Sequence, residues 1–526
     1  MTAPVPTLVR SPLSDGQWHR MHPLTPLLRG GLALLVVIGV IIANLRERLF
    51  AVVVPWFAPD LDPERDWEQP GDPIDWVVRN DLYLLAALAV VAALVVLVIA
   101  FALAWRFHTF RITGDDVEVR TGVLFRSHRR APLDRVQGVN LTRPFIARLV
   151  GLAKLEVLGA GTSGNVKLEY LRVADAETVR ADILRLASGQ RLGASAATME
   201  PDASSRARLR DTVVRGITGI VDGDEPVVAP ASVVALPVPR LVFARLLHPA
   251  TLSAVFVVAA GAVTATIGPE WVLFAAIPGA LALLGYQVRQ FVRSLRFAIA
   301  PTPDGVRITF GLLTTVTEIL PPGRVHAVEV AQPLLWRPAG WWTVRINRLS
   351  GKDAGEASTD QLTTVLPVGT IDDVTRVLGL VLPDLAPEEL ASIVAAGTRP
   401  RTADDPVTTT PRRAWFLQPL SWWRSGYLRT AASLVLRHGV IWRSLDIIPF
   451  ARLQSIAVQQ GPIARMAAVA GLHAHTVAGP VRARLAAVDR DGALALWHDV
   501  SLAAIAAAQQ DRTHRWAGTP GPGRQG

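Results

Sequence analysis

Residues 119–139 read VRTGVLFRSHRRAPLDRVQGV, and the pattern returns at 306–328 as VRITFGLLTTVTEILPPGRVHAV and at 434–456 as LVLRHGVIWRSLDIIPFARLQSI. In each, a glycine (Gly122, Gly311, Gly439) precedes a proline (Pro132, Pro321, Pro449) by ten residues, and an arginine (Arg135, Arg324, Arg452) follows three later. Fixed offsets in three copies mark an internal repeat. Each copy reads as a β-hairpin whose glycine accepts positive φ between alternating strands, for example Val117 to Arg120 and Leu124 to His128. The proline stops the second strand from donating to its ladder. Alternation resumes at Arg135 to Val139, Arg324 to Val328 and Arg452 to Ile456, and a second glycine (Gly151, Gly340, Gly471) opens a further strand. Asp175, Thr370 and Ser501 are placed to cap a closing helix. Short strands with one closing helix make a small barrel or sandwich with a helical plug.

The 526 residues are half apolar and only 19% charged, greasier than a water-soluble chain of this length. Four stretches avoid ionised residues: Gly30 to Leu45, Leu82 to Trp105, Leu246 to Pro269 and Trp271 to Val288. A bilayer core takes about 20 apolar residues as helix, so these stretches predict four transmembrane helices in two hairpins. Arg46, Glu47 and Arg48 stand where a signal cleavage site would need small residues, so the first is read as an uncleaved anchor. Nine acidic residues between Arg46 and Asp81, against Arg106, Arg111 and Arg120 after the second stretch, place the acidic loop outside and both termini in the cytoplasm. The predicted localisation is the inner (plasma) membrane, multi-pass.

The net charge of +10 is carried by arginine, since only Lys154, Lys167 and Lys352 are lysines. Arginine clustered beside apolar segments suits a lipid bilayer with anionic headgroups and not nucleic acid, which wants a basic stripe interleaved with exposed aromatics. With no cysteine, disulfides, thiolate metal sites and a cysteine nucleophile are excluded. The chain also lacks G-x-S-x-G, a phosphate loop and H-E-x-x-H, so no catalytic residue, cofactor or metal is expected. His473 and His475 share a strand face without a third ligand, and His248 stands almost alone as an ionisable group in the spans, giving little support to a transport path.

The G-x(9)-P-x(2)-R-[VL]-[QH] pattern following an apolar hairpin resembles the membrane-flanked (YdbS/YdbT-like) bacterial pleckstrin-homology-like family. The resemblance implies three seven-stranded PH-like barrels, each capped by a C-terminal helix. Copies one and three carry it as Pro132-Leu133-Asp134-Arg135-Val136-Gln137 and Pro449-Phe450-Ala451-Arg452-Leu453-Gln454, while copy two departs with Pro321-Pro322-Gly323 and His326. The expected organisation is a tail at 1–29, hairpin 30–105, PH-like domains at 106–187, 291–384 and 412–510, a second hairpin at 241–290, a disordered linker at 188–240, a linker at 385–411 that begins with a short helix (PEELASIVAA), and a disordered tail at 511–526.

Relatives of this fold bind anionic headgroups with hairpin cations, which makes Arg126, Arg129 and Arg130, with His128 beside them, candidates in copy one, and Arg437 and Arg443 in copy three; the bland alternative is a solvated strand face. Arg135, Arg324 and Arg452 recur with their glycine and proline as a requirement of the fold. The aromatic run AWFLQPLSWWRSGYLR from Ala414 fits either the first strand and core of domain three or a bilayer interface. The expected function is a non-enzymatic membrane scaffold for proteins or headgroups, with an accessory subunit of an export or resistance system as alternative; partners are the bilayer, other membrane proteins or a second copy.

Overall fold

A computed structural model describes residues 11–28, 83–122, 126–159, 165–187, 234–267, 271–302, 305–321, 323–348, 363–398 and 405–511. Unit 1 places β1 (His19–Arg20), β2 (Thr109–Ile112), β3 (Asp116–Thr121) and β4 (Ser127–Pro132) in one antiparallel sheet. Helix α1 (Tyr83–Arg106) lies between β1 and β2. The second half has β5 (Val136–Arg143), α2 (Phe145–Leu149), β6 (Leu152–Gly159), β7 (Val166–Arg172) and α3 (Val173–Ala187). Alternation packs Val117, Val139, Leu141, Leu155 and Leu168 against Val179 and Ile183 of α3, all fully or nearly fully buried.

Unit 2 repeats the plan with β8 (Val234–Ala235), α4 (Val238–Leu246), α5 (Pro249–Ile267), α6 (Trp271–Ser294), β9 (Ala298–Thr302), β10 (Gly305–Phe310) and β11 (Thr315–Leu320). Its second half is β12 (Val325–Gln332), β13 (Trp342–Arg348), β14 (Thr364–Gly369) and α7 (Ile371–Val381), followed by α8 (Pro387–Thr398). Unit 3 has β15 (Thr408–Thr409), β16 (Gly426–Arg429), β17 (Ser433–His438), β18 (Arg443–Pro449), β19 (Ser455–Gln459), α9 (Pro462–Met466), β20 (Val469–His475), β21 (Arg484–Asp489) and α10 (Arg490–Gln510). Three β-rich PH-like repeats are therefore present.

The units are not separate beads. Strand β5 of unit 1 pairs antiparallel with β11 of unit 2, and β12 of unit 2 pairs with β18 of unit 3, so two seven-stranded sheets run across unit boundaries. The register is the same at both seams: Ile319 faces Val139 and Glu318 faces Asn140 in the first, while Ile447 faces Val328 and Asp446 faces Glu329 in the second. Counting from Gly311 and Arg135 in the first seam and from Gly439 and Arg324 in the second, these are equivalent positions of the repeat. Among the described residues, the third copy of the seam strand, β19, pairs only with β20.

Four transmembrane helices are not shown. Among the described residues no single helix is long and apolar enough to cross a membrane. The stretch from Gly30 to Leu45 and the acidic loop lie outside the described residues. The third stretch is broken near Pro249, where α4 and α5 meet at 54°; only this bent pair passes by length and composition. The fourth carries Pro278, and its helix runs on through Arg289 and Arg293.

Three boundaries also move. Residues assigned to the tail or to linkers supply β1, β8 and β15, the first strand of each unit. The linker from 385 contains α8, whose Leu390 and Ile393 are buried in the unit 2 core. Of the three caps, Thr370 closes a capping box with Asp373, but Asp489, not Ser501, caps α10, and Asp175 sits inside the first turn of α3. Ser501 is mid-helix and bonds the Trp497 carbonyl.

Candidate membrane-facing site

Each unit opens with a two-residue strand, and between it and the next strand each inserts an apolar element. Unit 1 inserts the segment containing α1, where Leu88, Val96 and Val98 are exposed. Unit 2 inserts α4 and the α5–α6 hairpin, exposing Val255, Phe256, Leu281 and Leu284. Unit 3 has no long helix there; the interval holds a 3₁₀ segment (Arg412–Leu417) that exposes Trp415 and Phe416, with Leu420 and Trp423 exposed beyond it. The aromatic run supplies a strand only at its end, where Gly426–Arg429 forms β16, and Ala414 is its buried anchor. Exposed apolar side chains concentrated in one topological position are the signature of a surface covered by a partner or by lipid.

The inserts are footed on the barrels. The Trp105 indole donates to the Met21 carbonyl at 2.8 Å, and the Arg20 guanidinium lies 5.6 Å from its ring centre, tying the end of α1 to β1. In unit 2, Leu241 and Ala244 of α4 enter the core, Trp336 donates to the Ala244 carbonyl at 3.1 Å, and Arg240 pairs with Asp373 at 3.0 Å.

The β3–β4 hairpin of unit 1 carries the cations predicted for headgroups. Arg126, His128, Arg129 and Arg130 are all exposed. Arg130 is held by Asp116, with Glu118 3.8 Å away, and this carboxylate pair raises its pKa further. Glu118 also takes Arg111 at 2.8 Å and His128 at 3.5 Å. Arg111 and Arg120 stack on Trp18 at 4.9 and 4.0 Å. The hairpin is a basic face with part of its charge already balanced from beneath.

Unit 3 treats its cations differently. Arg437 is 1% exposed: its guanidinium donates to the carbonyls of Arg424 (3.0 Å) and Ala396 (2.7 Å) and pairs with Asp405 at 2.6 Å. It clasps the end of α8 to β17 and is not available to a headgroup. Arg443 lies at the second seam, 3.4 Å from Gln332.

The repeat signature separates into its parts. Gly122, Gly311 and Gly439 have φ of 101°, 101° and 76°, the conformation expected of their turns. Pro132 and Pro449 precede one-turn 3₁₀ helices ending at Arg135 and Arg452; the residue after Pro321 lies outside the described residues. Arg135 is exposed beside Asp134, Arg452 pairs with Asp511 at 2.8 Å, and Arg324 is half-buried with Nε and Nη2 unbonded. The three arginines share a position without sharing a partner. Arg452 also edges a cavity of about 330 Å³ between units 2 and 3, walled by Val325, Leu382, Pro449 and Ala503; its charge is already matched there.

The most polar buried ground lies at the seams. In the first, Arg348 and Glu318, each with a 2% exposed side chain, form an ion pair, and burial pushes the Arg348 pKa down to about 10. In the second, Glu329 and Asp446 face each other. Arg345 reaches Glu329 at 2.9 Å, Ser444 donates to it at 3.2 Å, and His438 meets Asp446 at 3.0 Å. Glu318 and Asp446 both sit seven residues beyond their hairpin glycine, a signal legible in the sequence; unit 1 has Arg129 at that place. The rings of His473 and His475 lie 3.9 Å apart and tilted by 45°, and no group of three metal-ligating side chains occurs among the described residues.

Seven short strands and a closing helix, repeated three times with a turn glycine and a strand-ending proline, define a PH-like repeat protein. The chain matches the bacterial PH domain family over residues 33–187, 250–383 and 374–504. It belongs to that family. No curated protein matches it.

Proposed function

We propose that this protein is a non-catalytic scaffold at the inner face of the bacterial plasma membrane, lodging the apolar insert of each unit in the bilayer and turning the basic hairpin of unit 1 toward anionic headgroups. The observation that carries this reading is positional: all three units expose a set of apolar side chains in the interval between first and second strand. Leucine, valine and phenylalanine serve where helices fill that interval, and tryptophan and phenylalanine where a short 3₁₀ segment does; the latter set favours the bilayer interface. Arg126 and Arg129 add a salt-sensitive preference for anionic lipid. The joined sheets hold the units in a fixed row, which suits a scaffold better than independent binding modules.

The test is membrane fractionation of the full chain, followed by reconstitution into vesicles with and without phosphatidylglycerol. The chain is expected to stay with membranes in 1 M salt. Trp415 and Trp423 fluorescence should be quenched by brominated lipid, and Arg126→Ala with Arg129→Ala should abolish the preference for anionic vesicles. Recovery in the supernatant after a salt wash would refute the reading.

A further inference from the structure

We propose that this protein forms a closed two-fold dimer in which β19 of one copy pairs antiparallel with β19 of a second. The argument starts from the two seams. Each is made by the fifth strand of one unit, β5 or β12, presenting two buried apolar residues at fixed places: Val139 and Leu141, then Val328 and Val330. In unit 3 the equivalents are Ile456 and Val458, which belong to its core. Strand β19 therefore has the inner face of a seam strand, and among the described residues no strand is paired to its outer edge.

Edges that are not meant to pair are blunted by charge or proline. Strand β19, Ser-Ile-Ala-Val-Gln, has neither. Beside it, α10 exposes Leu494, Trp497, Leu502 and Ile505 along one face, and Trp497 donates to the Ile456 carbonyl at 3.0 Å, fixing that face against the edge. Met466 of α9 is 90% exposed nearby in sequence. An edge without charge or proline, with one carbonyl taken by the Trp497 indole and an apolar helix face beside it, is a joint without its other half.

The seam rule itself selects the partner. Continued head to tail, it would seat β4 of a second copy on β19, placing Arg130 opposite Ile456 and His128 opposite Val458. That puts Arg130 where both internal seams hold an isoleucine, Ile319 and Ile447, and such a heterologous contact would propagate into an open chain. Strand β4 is thus a blunted end. The β19 sequence instead matches itself: a two-fold axis through Ala457 sets Ile456 opposite Val458 of the second copy, with Ser455 opposite Gln459 and a small residue at the centre. The cores of both third units then meet across the joint, as Ile319 meets Val139, and the assembly closes. This inference does not rest on the lipid reading, since β19 lies outside the inserts.

The chain has no cysteine, so a single introduced thiol reports directly. In the proposed register the two Ala457 Cα atoms lie about 4.5–5.5 Å apart, within the range of about 4.4–6.8 Å that a disulfide spans. Full-length protein in detergent, weighed by light scattering, is expected to show twice the chain mass. Ala457→Cys should give a covalent dimer under mild oxidation, and Ala457→Lys should halve the mass with an unchanged melting temperature. A monomeric wild type overturns the proposal. So does a dimer whose Ala457→Cys form fails to cross-link. Cross-linking between differently tagged Ala457→Cys and Arg129→Cys chains would likewise refute the closed dimer, in favour of head-to-tail assembly.

Discussion

Glu329 and Asp446 are cross-strand partners in the second seam, both buried, so two carboxylates face each other in the sheet that joins unit 2 to unit 3. Burial raises the Glu329 pKa and Asp446 raises it further, while Arg345 opposes both. His438, although burial works against its charge, is also raised by its bond to Asp446. A raised folded-state pKa means that the folded form holds its proton more tightly than the unfolded one. The stability from both groups is present below their ordinary values and is lost as pH rises through the shifted ones. The seam is therefore expected to weaken from about pH 5 to pH 8. Glu329→Gln keeps the acceptor for Ser444 and removes one charge. Its melting temperature should match the wild type near pH 5 and exceed it at pH 8, as differential scanning calorimetry across that range would read.

His326 has the opposite sign. Burial, with Arg452 and Arg324 near it, pushes its pKa down to about 4. Its stability contribution is full above the ordinary histidine value and is lost as pH falls toward 4. His326→Gln should flatten the acid limb of the stability profile between about pH 6.5 and 4 and leave the alkaline limb unchanged, as equilibrium urea titrations at several pH values would measure.

Arg437→Ala leaves Asp405 as a buried charge without its cation and frees the Ala396 and Arg424 carbonyls. Breaking a buried pair from one side costs about 3–5 kcal/mol, so a sharp drop in denaturation midpoint is expected. Arg126→Ala, at an exposed position, should leave the midpoint within about 0.5 kcal/mol. The two cations resemble each other in the sequence and should separate completely by this measurement.

Ala468 has φ of 48°, where Gly151 and Gly340 have 68° and 65° at the start of the equivalent strands. An L-residue in the left-handed region is strained by about 1–2 kcal/mol, partly offset by the greater freedom of glycine in the unfolded chain. Ala468→Gly is expected to stabilise unit 3 by about 0.5–1 kcal/mol. Gly340→Ala should cost a similar amount from backbone strain alone, since its added Cβ meets nothing within 4 Å.

The repeat, the alternating strands and the closing helices were legible because they are local: a turn glycine, a period of two, a proline where pairing ends. The seams were not, because pairing Glu318 with Asn140 or Asp446 with Glu329 joins edges far apart in sequence, and edge choice leaves no local periodic trace. The two-residue first strands were too short for any period. Arg437 read as a surface cation because Asp405 lay in residues assigned to a linker. In unit 3, Gly471 looked like the strand-opening glycine, but it lies inside β20 and the position belongs to Ala468. The apolar stretches were plain in composition; the bend at Pro249 comes from proline geometry that hydropathy does not weigh.

The insert of unit 2 leaves the barrel at Ala235 and returns at Ala298, and those two residues are hydrogen-bonded strand neighbours. Its two ends therefore stand one strand spacing apart, about 4.8 Å, whatever lies between them. A site with fixed, adjacent ends accepts material of any length at a closure cost that grows only with the logarithm of that length. Unit 3 fills the same site with a few aromatic residues where unit 2 carries three helices. After duplication, the barrels could keep their ladders while each copy acquired, shortened or exchanged what it holds in that slot, so the largest differences in length among the copies sit at one door in a shared frame.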